Sequence, residues 1–333
     1  MLVPPRLLSV IATVSAFACI PYGTMRLCMA ETLRVQVSEA TITVYDGEEV
    51  LLSYNKLSPS APDGIAPIYQ RSGFLHPVCT PAGQVVTAMF PFDHPHQQGI
   101  FSAWVKTEYA GRSIDFWNLA KGTGRVVHHR LVSTFQDRGK AGFEVDLIHR
   151  TDQQPSVDVL RERWKVTAHP TDGTYRCFDL HTTQSALTGI PLKVLKFHYG
   201  GMALRGPVKW LNNGDSDSNN RPDLVKEASG FLNNLGSKRV EGNHQHAKWV
   251  SLWGNIDGKT VSITVLVGKN SFRAPQAARL HPTKPYFCFC PCVDDEFVID
   301  RDQPYEANYR YLVTDADPDP GWLDQQWESW TKQ

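Results

Sequence analysis

From Leu33 onward the apolar residues recur at every second position in short bursts, and this period decides the fold class. Leu33, Val35 and Val37 form one burst, Ile42 and Val44 a second, and Val50 and Leu52 a third, with Ser38-Glu-Ala40 and Asp46-Gly47 between them. Alternate residues of a strand share a face, so each burst offers one apolar side to a core. The same texture returns at 84–90, 99–105, 142–149, 160–168, 175–182, 193–199, 248–253, 261–267 and 307–313. Turn formers such as Thr171-Asp-Gly173 and Asp257-Gly258 separate neighbouring runs. About a dozen strands cannot remain one flat sheet, so the expectation is an all-β, large antiparallel two-sheet supersandwich. Helical periodicity is confined to Gly321–Lys332, where Trp322, Trp327 and Trp330 can dock one face as a cap. The wholly polar stretch Asn212–Arg221 reads as a surface loop inside that domain.

The first 30 residues differ from all that follow. Arg6 precedes an apolar run, Leu7–Ile20, that Pro21 and Gly23 end before it reaches the ~20 residues of a membrane span. Small residues at Cys28 and Ala30 suit cleavage before Glu31, so 1–30 reads as a signal peptide and 31–333 as a single domain. The expected location is exported, periplasmic or extracellular, with no membrane span once the signal is removed. Lys plus Arg number 34 and Asp plus Glu 34, so no basic surplus exists to track a phosphate backbone and no nucleic-acid partner is expected. Beyond the leader five cysteines remain, too few and odd in number for a disulfide framework. Cys288, Cys290 and Cys292 alternate along one strand face and read as buried core groups.

Histidine carries most of the chemical information. In Pro91-Phe-Asp-His-Pro-His-Gln-Gln-Gly99, Asp93, His94 and His96 put a carboxylate and two imidazoles within four residues. Pro95 stiffens this loop, and Gly99 permits close approach, expected here to be by a ligand. Imidazole can act as an acid or base near neutral pH, or bind a metal through one nitrogen while a carboxylate holds the other. His198 ends a strand at Gly200-Gly201 and joins the catalytic candidates. His244 and His246, if extended, share a face at about 6 to 7 Å and could meet one divalent metal. His128 and His129 are adjacent and read as structural or surface groups.

Arg205, Arg273, Gln276 and His281 lie in segments rich in donors suited to carboxylate or vicinal hydroxyl oxygens, and Trp104 can stack on a sugar face. They form the candidate substrate-binding set. No G-x-S-x-G elbow and no H-E-x-x-H pair occurs, which removes the serine-hydrolase and zincin readings.

His76-Pro77, Phe92-Asp-His-Pro-His-Gln-Gln-Gly-Ile-Phe-Ser-Ala-Trp104, Ile114-Asp-Phe-Trp117, Tyr199-Gly-Gly with Arg205, and Phe272-Arg-Ala-Pro-Gln276 together resemble the family named methane oxygenase PmoA, a group of exported proteins. The resemblance implies a galactose-mutarotase-like supersandwich, whose relatives bind sugars in a groove and move protons with histidine and carboxylate side chains. The H-x-Y-F-N-L element of the mutarotases is not reproduced by Phe197-His-Tyr-Gly-Gly201. The expected function is therefore an exported carbohydrate-active enzyme of lyase, epimerase or hydrolase type, acting on a glycoside or oxidised sugar by histidine-mediated proton transfer, with a divalent metal as an optional assistant. The alternatives are a non-catalytic carbohydrate-binding protein and, as the family name suggests, a copper oxygenase.

Overall fold

The computed structural model describes residues 1–2, 33–211 and 226–332. The leader, apart from its first two residues, and the Asn212–Arg221 loop lie outside the described residues. The first half contributes β1 (Leu33–Val37), β2 (Thr41–Asp46), β3 (Glu49–Asn55), β4 (Phe74–Val78), β5 (Ile100–Ala103), β6 (Thr107–Tyr109), β7 (Arg112–Ile114), β8 (Gly124–Asp137), β9 (Lys140–Thr151) and β10 (Asp158–His169). The second half adds β11 (Tyr175–Ala186), β12 (Leu192–Val194), β13 (Gly201–Arg205), β14 (Ser229–Asn233), β15 (Trp249–Ile256), β16 (Lys259–Val267), β17 (Ala278–Leu280), β18 (Tyr286–Phe289), β19 (Phe297–Ile299) and β20 (Tyr305–Thr314), then one helix, α1 (Pro320–Trp330).

Two eight-stranded antiparallel sheets form the body, in the orders β1-β2-β3-β4-β5-β13-β18-β17 and β14-β15-β16-β20-β11-β10-β9-β8. The all-β sandwich and the C-terminal helix thus agree with the sequence. A third sheet, β19-β12-β6-β7, is an addition that the short bursts did not signal. The expected strand at 84–90 is a loop, joined to β4 by an isolated Cys79–Val85 bridge and by the Thr87 hydroxyl, which bonds the Val78 N–H and the His76 ring. Phe90 there sits at φ 48°, which no strand accommodates. Asp257 and Gly258, both at positive φ, close the β15–β16 hairpin as their dipeptide predicts.

Register decides which side chains reach the interior. On β13 and β18, Met202 pairs with Phe289 and Leu204 with Phe287, and these face the second sheet, where Phe289 stacks on Tyr309 and Phe287 meets Phe231. Arg205, Ala203, Tyr286 and Cys288 consequently point to the opposite side. That side is covered by the loop carrying Trp117, whose ring lies 4.7 Å from Phe101, 5.4 Å from Tyr199 and 5.8 Å from Tyr286. All five cysteines of the domain are buried and unbridged. α1 is capped by Asp319, which accepts from the N–H groups of Gly321 and Trp322, and it packs Leu323, Trp322 and Trp327 against Trp249, Leu266 and Leu312. Among the described residues no helix is long and apolar enough to cross a membrane.

Candidate functional site

Gly99 fixes the loop that bears Asp93, His94 and His96. A Cβ on Gly99 would stand 1.9 Å from the Leu75 carbonyl oxygen, and its φ is 56°. The close approach is therefore made by the backbone of β4 and not by a ligand, correcting the expectation from sequence. Its N–H donates to the Ala88 carbonyl, so the loop is tied at its base.

Asp93 is the hub of this loop. Its side chain is fully buried and accepts from both terminal nitrogens of Arg205, at 2.6 and 2.8 Å, while Lys284 Nζ lies 3.6 Å away. Burial opposes its ionisation, but Arg205 and the hydrogen bond from His94 prevail and hold the carboxyl well below the usual range. Asp93 is thus an anchored anion, not a proton donor to substrate. Arg205 is fully buried and also bonds Gln97 Oε1 at 2.9 Å, so its expected contact with substrate is replaced by an anchoring role.

The anchor orients His94. The ring's Nδ1–H donates to Asp93 Oδ2 at 3.3 Å, leaving Nε2 as the acceptor. His94 lines a cavity of about 180 Å³ together with His96, His198 and His281. Its ring centroid is 5.5 Å from that of His96 and 6.0 Å from that of His281. Burial, then His94, Arg71 and Arg205, push His96 down to about 3 against the opposing Asp93. His281 is also pushed down to about 3, by burial first and then by Arg279, His94, Lys284 and Arg205. The His281 Nδ1 accepts the backbone N–H of Thr283 at 3.3 Å and of Lys284 at 3.1 Å, so the proton of the neutral ring sits on Nε2. His198, largely exposed at the edge of this lining, is held below its ordinary value by the partial burial of its ring and then by Arg279 and His244.

Trp117, Tyr286, Tyr199, Asn118, Gln97 and Arg279 complete the lining. Asp115 builds one wall, accepting the N–H of Trp117 and of Asn118 at 3.0 Å and the Asn118 amide at 2.7 Å. Tyr199 OH then donates to Asn118 Oδ1 at 3.3 Å. The Asp115-Phe-Trp-Asn118 spelling is an Asx-turn signal that would have found Asn118 from sequence. Gln97, Lys284 and Tyr286 had no such signal.

Several expected site residues lie elsewhere. Trp104 is wholly buried and donates to Gln184 Oε1 at 2.7 Å, so it is a core group between the sheets. Gln276 is buried, donating to the Phe272 carbonyl and accepting from Tyr309 OH. Arg273 caps the carbonyls of Pro291, Asp295 and Glu296. His244 has φ 66°, which breaks the alternation that a shared face requires. Its Nε2–H donates to the His198 carbonyl, whereas His246 donates to the Pro275 carbonyl and to Asp294. The two rings therefore do not meet at one ion. Among the described residues no three His, Cys, Asp or Glu side chains gather as a metal site.

Fold and cavity together define an antiparallel β-sandwich protein with an imidazole-lined pocket on the outer side of one sheet. The chain belongs to the family of unknown function DUF6807, matched over residues 41–328. No curated protein matches it. Among solved structures, "Putative kojibiose phosphorylase from human microbiome" is similar over 91% of this chain at 8% identity and TM-score 0.34, and this chain spans 33% of that one. The Slr1438 protein from Synechocystis sp. PCC 6803 is similar over 84% of this chain and 99% of its own, at 9% identity and TM-score 0.28.

Proposed function

We propose that this is an exported, carbohydrate-active enzyme that moves a proton on a single sugar ring or a sugar-derived small molecule, as lyases and epimerases do. The observation that carries this reading is the pairing of two imidazoles with opposite hydrogen-bonding roles around one cavity. His94, oriented by the Asp93 carboxylate, offers an Nε2 lone pair, while His281 offers an Nε2–H. A carbon acid bound between them would lose its proton to His94 as negative charge develops on the adjacent oxygen. The neutral His281 donor and the Arg279 guanidinium would hold that oxygen. Removing one such donor costs roughly 10²–10³ in rate in well-studied enzymes, and a positioned base contributes about 10²–10⁴.

Among the described residues no carboxylate lines the cavity. The paired acids of glycoside hydrolysis therefore have no counterpart, which favours elimination or epimerisation over hydrolysis. Tyr199, half-buried on the lining, supplies the aromatic surface that a sugar ring stacks on. A galactose-mutarotase-like supersandwich is the architecture that accords with this use. The same aromatic surface also supports the second reading, a carbohydrate-binding protein without turnover.

Incubation with a panel of neutral aldoses and uronates in deuterated water, followed by proton NMR, separates the two. An enzyme exchanges a carbon-bound proton of at least one sugar, and His94→Gln reduces that exchange by about a hundredfold or more. Sugar binding by the wild type with no exchange and no product would leave only the binding reading.

A further inference from the structure

Among the described residues the lining of the cavity is rich in donors and bears no acidic side chain; the two carboxylates behind it are already paired, Asp93 with Arg205 and Asp115 with Lys121 and the Trp117 and Asn118 N–H groups. Arg279 stands on the edge strand β17, in register with Cys288 and hence on the outward side that bears Tyr286 and Arg205. Its one hydrogen bond among the described residues is from NH1 to the neutral Asn243 Oδ1, at 3.0 Å. No carboxylate of a described residue neutralises it. Arg205 and Lys284, by contrast, are both committed to Asp93.

The His281 Nε2–H is a second donor on this lining. A cavity with a guanidinium and an imidazole N–H on its wall, and no acidic side chain among its described lining residues, selects for negative charge.

Resting on the sugar-site reading above, we infer that the ligand is an acidic sugar, a uronate or a related sugar acid, whose carboxylate is received by Arg279 at the cavity wall. A planar carboxylate suits the fork of a guanidinium, and a carboxyl group next to a ring carbon acidifies that carbon's proton for removal by His94. No oxidant or other co-reactant is needed. In epimerisation the proton passes to His94 and the same carbon is reprotonated on its opposite face from solvent, to which His94 gives up the proton it took. In elimination the carbon–hydrogen electron pair becomes the new carbon–carbon double bond, and the β-leaving group departs with the pair of its own bond to carbon.

Calorimetric titration of the full domain with D-glucuronate, D-galacturonate, D-glucose, D-galactose, acetate and glucose 6-phosphate tests this. The expected result is that a uronate binds at least about tenfold more tightly than its neutral parent, with a preference that weakens as salt rises. Arg279→Gln should abolish the preference and Arg279→Lys should restore part of it, with unchanged circular dichroism in both. Equal binding of neutral and acidic sugars would overturn the inference while leaving the sugar-site reading intact. Tighter binding of the sugar phosphate than of either uronate would overturn the carboxylate assignment. Failure of every sugar to bind would remove the sugar-site reading and this inference with it. The comparison of uronate with parent sugar needs no variant, so it stands even if Arg279→Gln fails to fold.

Discussion

Asp93 and Arg205 are 112 positions apart, yet they form a fully buried, bidentate ion pair with oxygen–nitrogen distances of 2.6 and 2.8 Å. The pair joins the end of β13 to the loop that presents His94, and the same carboxylate sets that ring's tautomer. The geometry of the base is thus made by a strand on the far side of the chain.

Breaking this pair from one side should be costly. Asp93→Asn leaves a buried guanidinium without its anion, and a loss of about 3–5 kcal/mol is expected. Urea unfolding measures it. Asp93→Asn combined with Arg205→Met should recover part of the loss, and a double variant no better than the sum of the single ones would refute the coupling.

Acid should destabilise the fold before the carboxylates titrate. His96 and His281 are held at about 3, while an unfolded histidine titrates near 6.5. Between those values the unfolded chain binds more protons, so stability is full above about pH 6.5 and declines as pH falls toward 3, by at most about 1.4 kcal/mol per pH unit for each ring. Urea midpoints between pH 6.5 and 4.5 should fall with acidity, less steeply in His281→Asn. An unchanged slope in that variant would refute the assignment.

Gly99→Ala should destabilise the chain by at least about 2 kcal/mol, because the methyl group collides with the Leu75 carbonyl and the backbone is left-handed. Thermal unfolding provides the measurement. The same substitution at Gly47, which meets nothing within 4 Å, isolates the conformational part of the cost.

His246→Ala should leave sugar binding and proton exchange within about twofold of wild type, as expected for an exposed group away from the reacting centre. Loss of exchange in that variant would move the reaction away from the His94 cavity.

Asp115→Ala strips the Trp117 and Asn118 N–H groups of their acceptor. A stability loss of about 1–3 kcal/mol is expected. Ligand affinity should drop as well, since both residues line the cavity. Titration of the variant with the best-bound sugar checks this.

Much of the architecture was legible because β10 and β11 alternate between a buried and a partly wet face, which writes period two into the residues. β13 and β18 were only dimly legible, since every residue of Gly201–Arg205 and Tyr286–Phe289 is buried and no alternation results. The 84–90 segment misled because its apolar residues imitate a strand. Within the site, His94 and His96 stood out as polar residues bounded by proline and glycine. Trp104, Gln276 and Arg273 were misassigned because residue type does not reveal whether a polar tip meets a ligand or the protein's own groups. The convergence of His281 on the His94 loop depends on β17 and β18 lying beside β13, a pairing set by long-range packing.

The opposed facings of Leu204 and Arg205, or of Phe287 and Tyr286, divide labour across a single layer of backbone. One side seals the sandwich and the other furnishes the chamber, whose remaining walls are the His94–Gln97 stretch and the two short segments around Asn118 and Tyr199. Exchanging those two segments for others would retune which molecules are admitted while leaving the seam between the large sheets untouched, so a new specificity can be grafted onto this scaffold without rebuilding it.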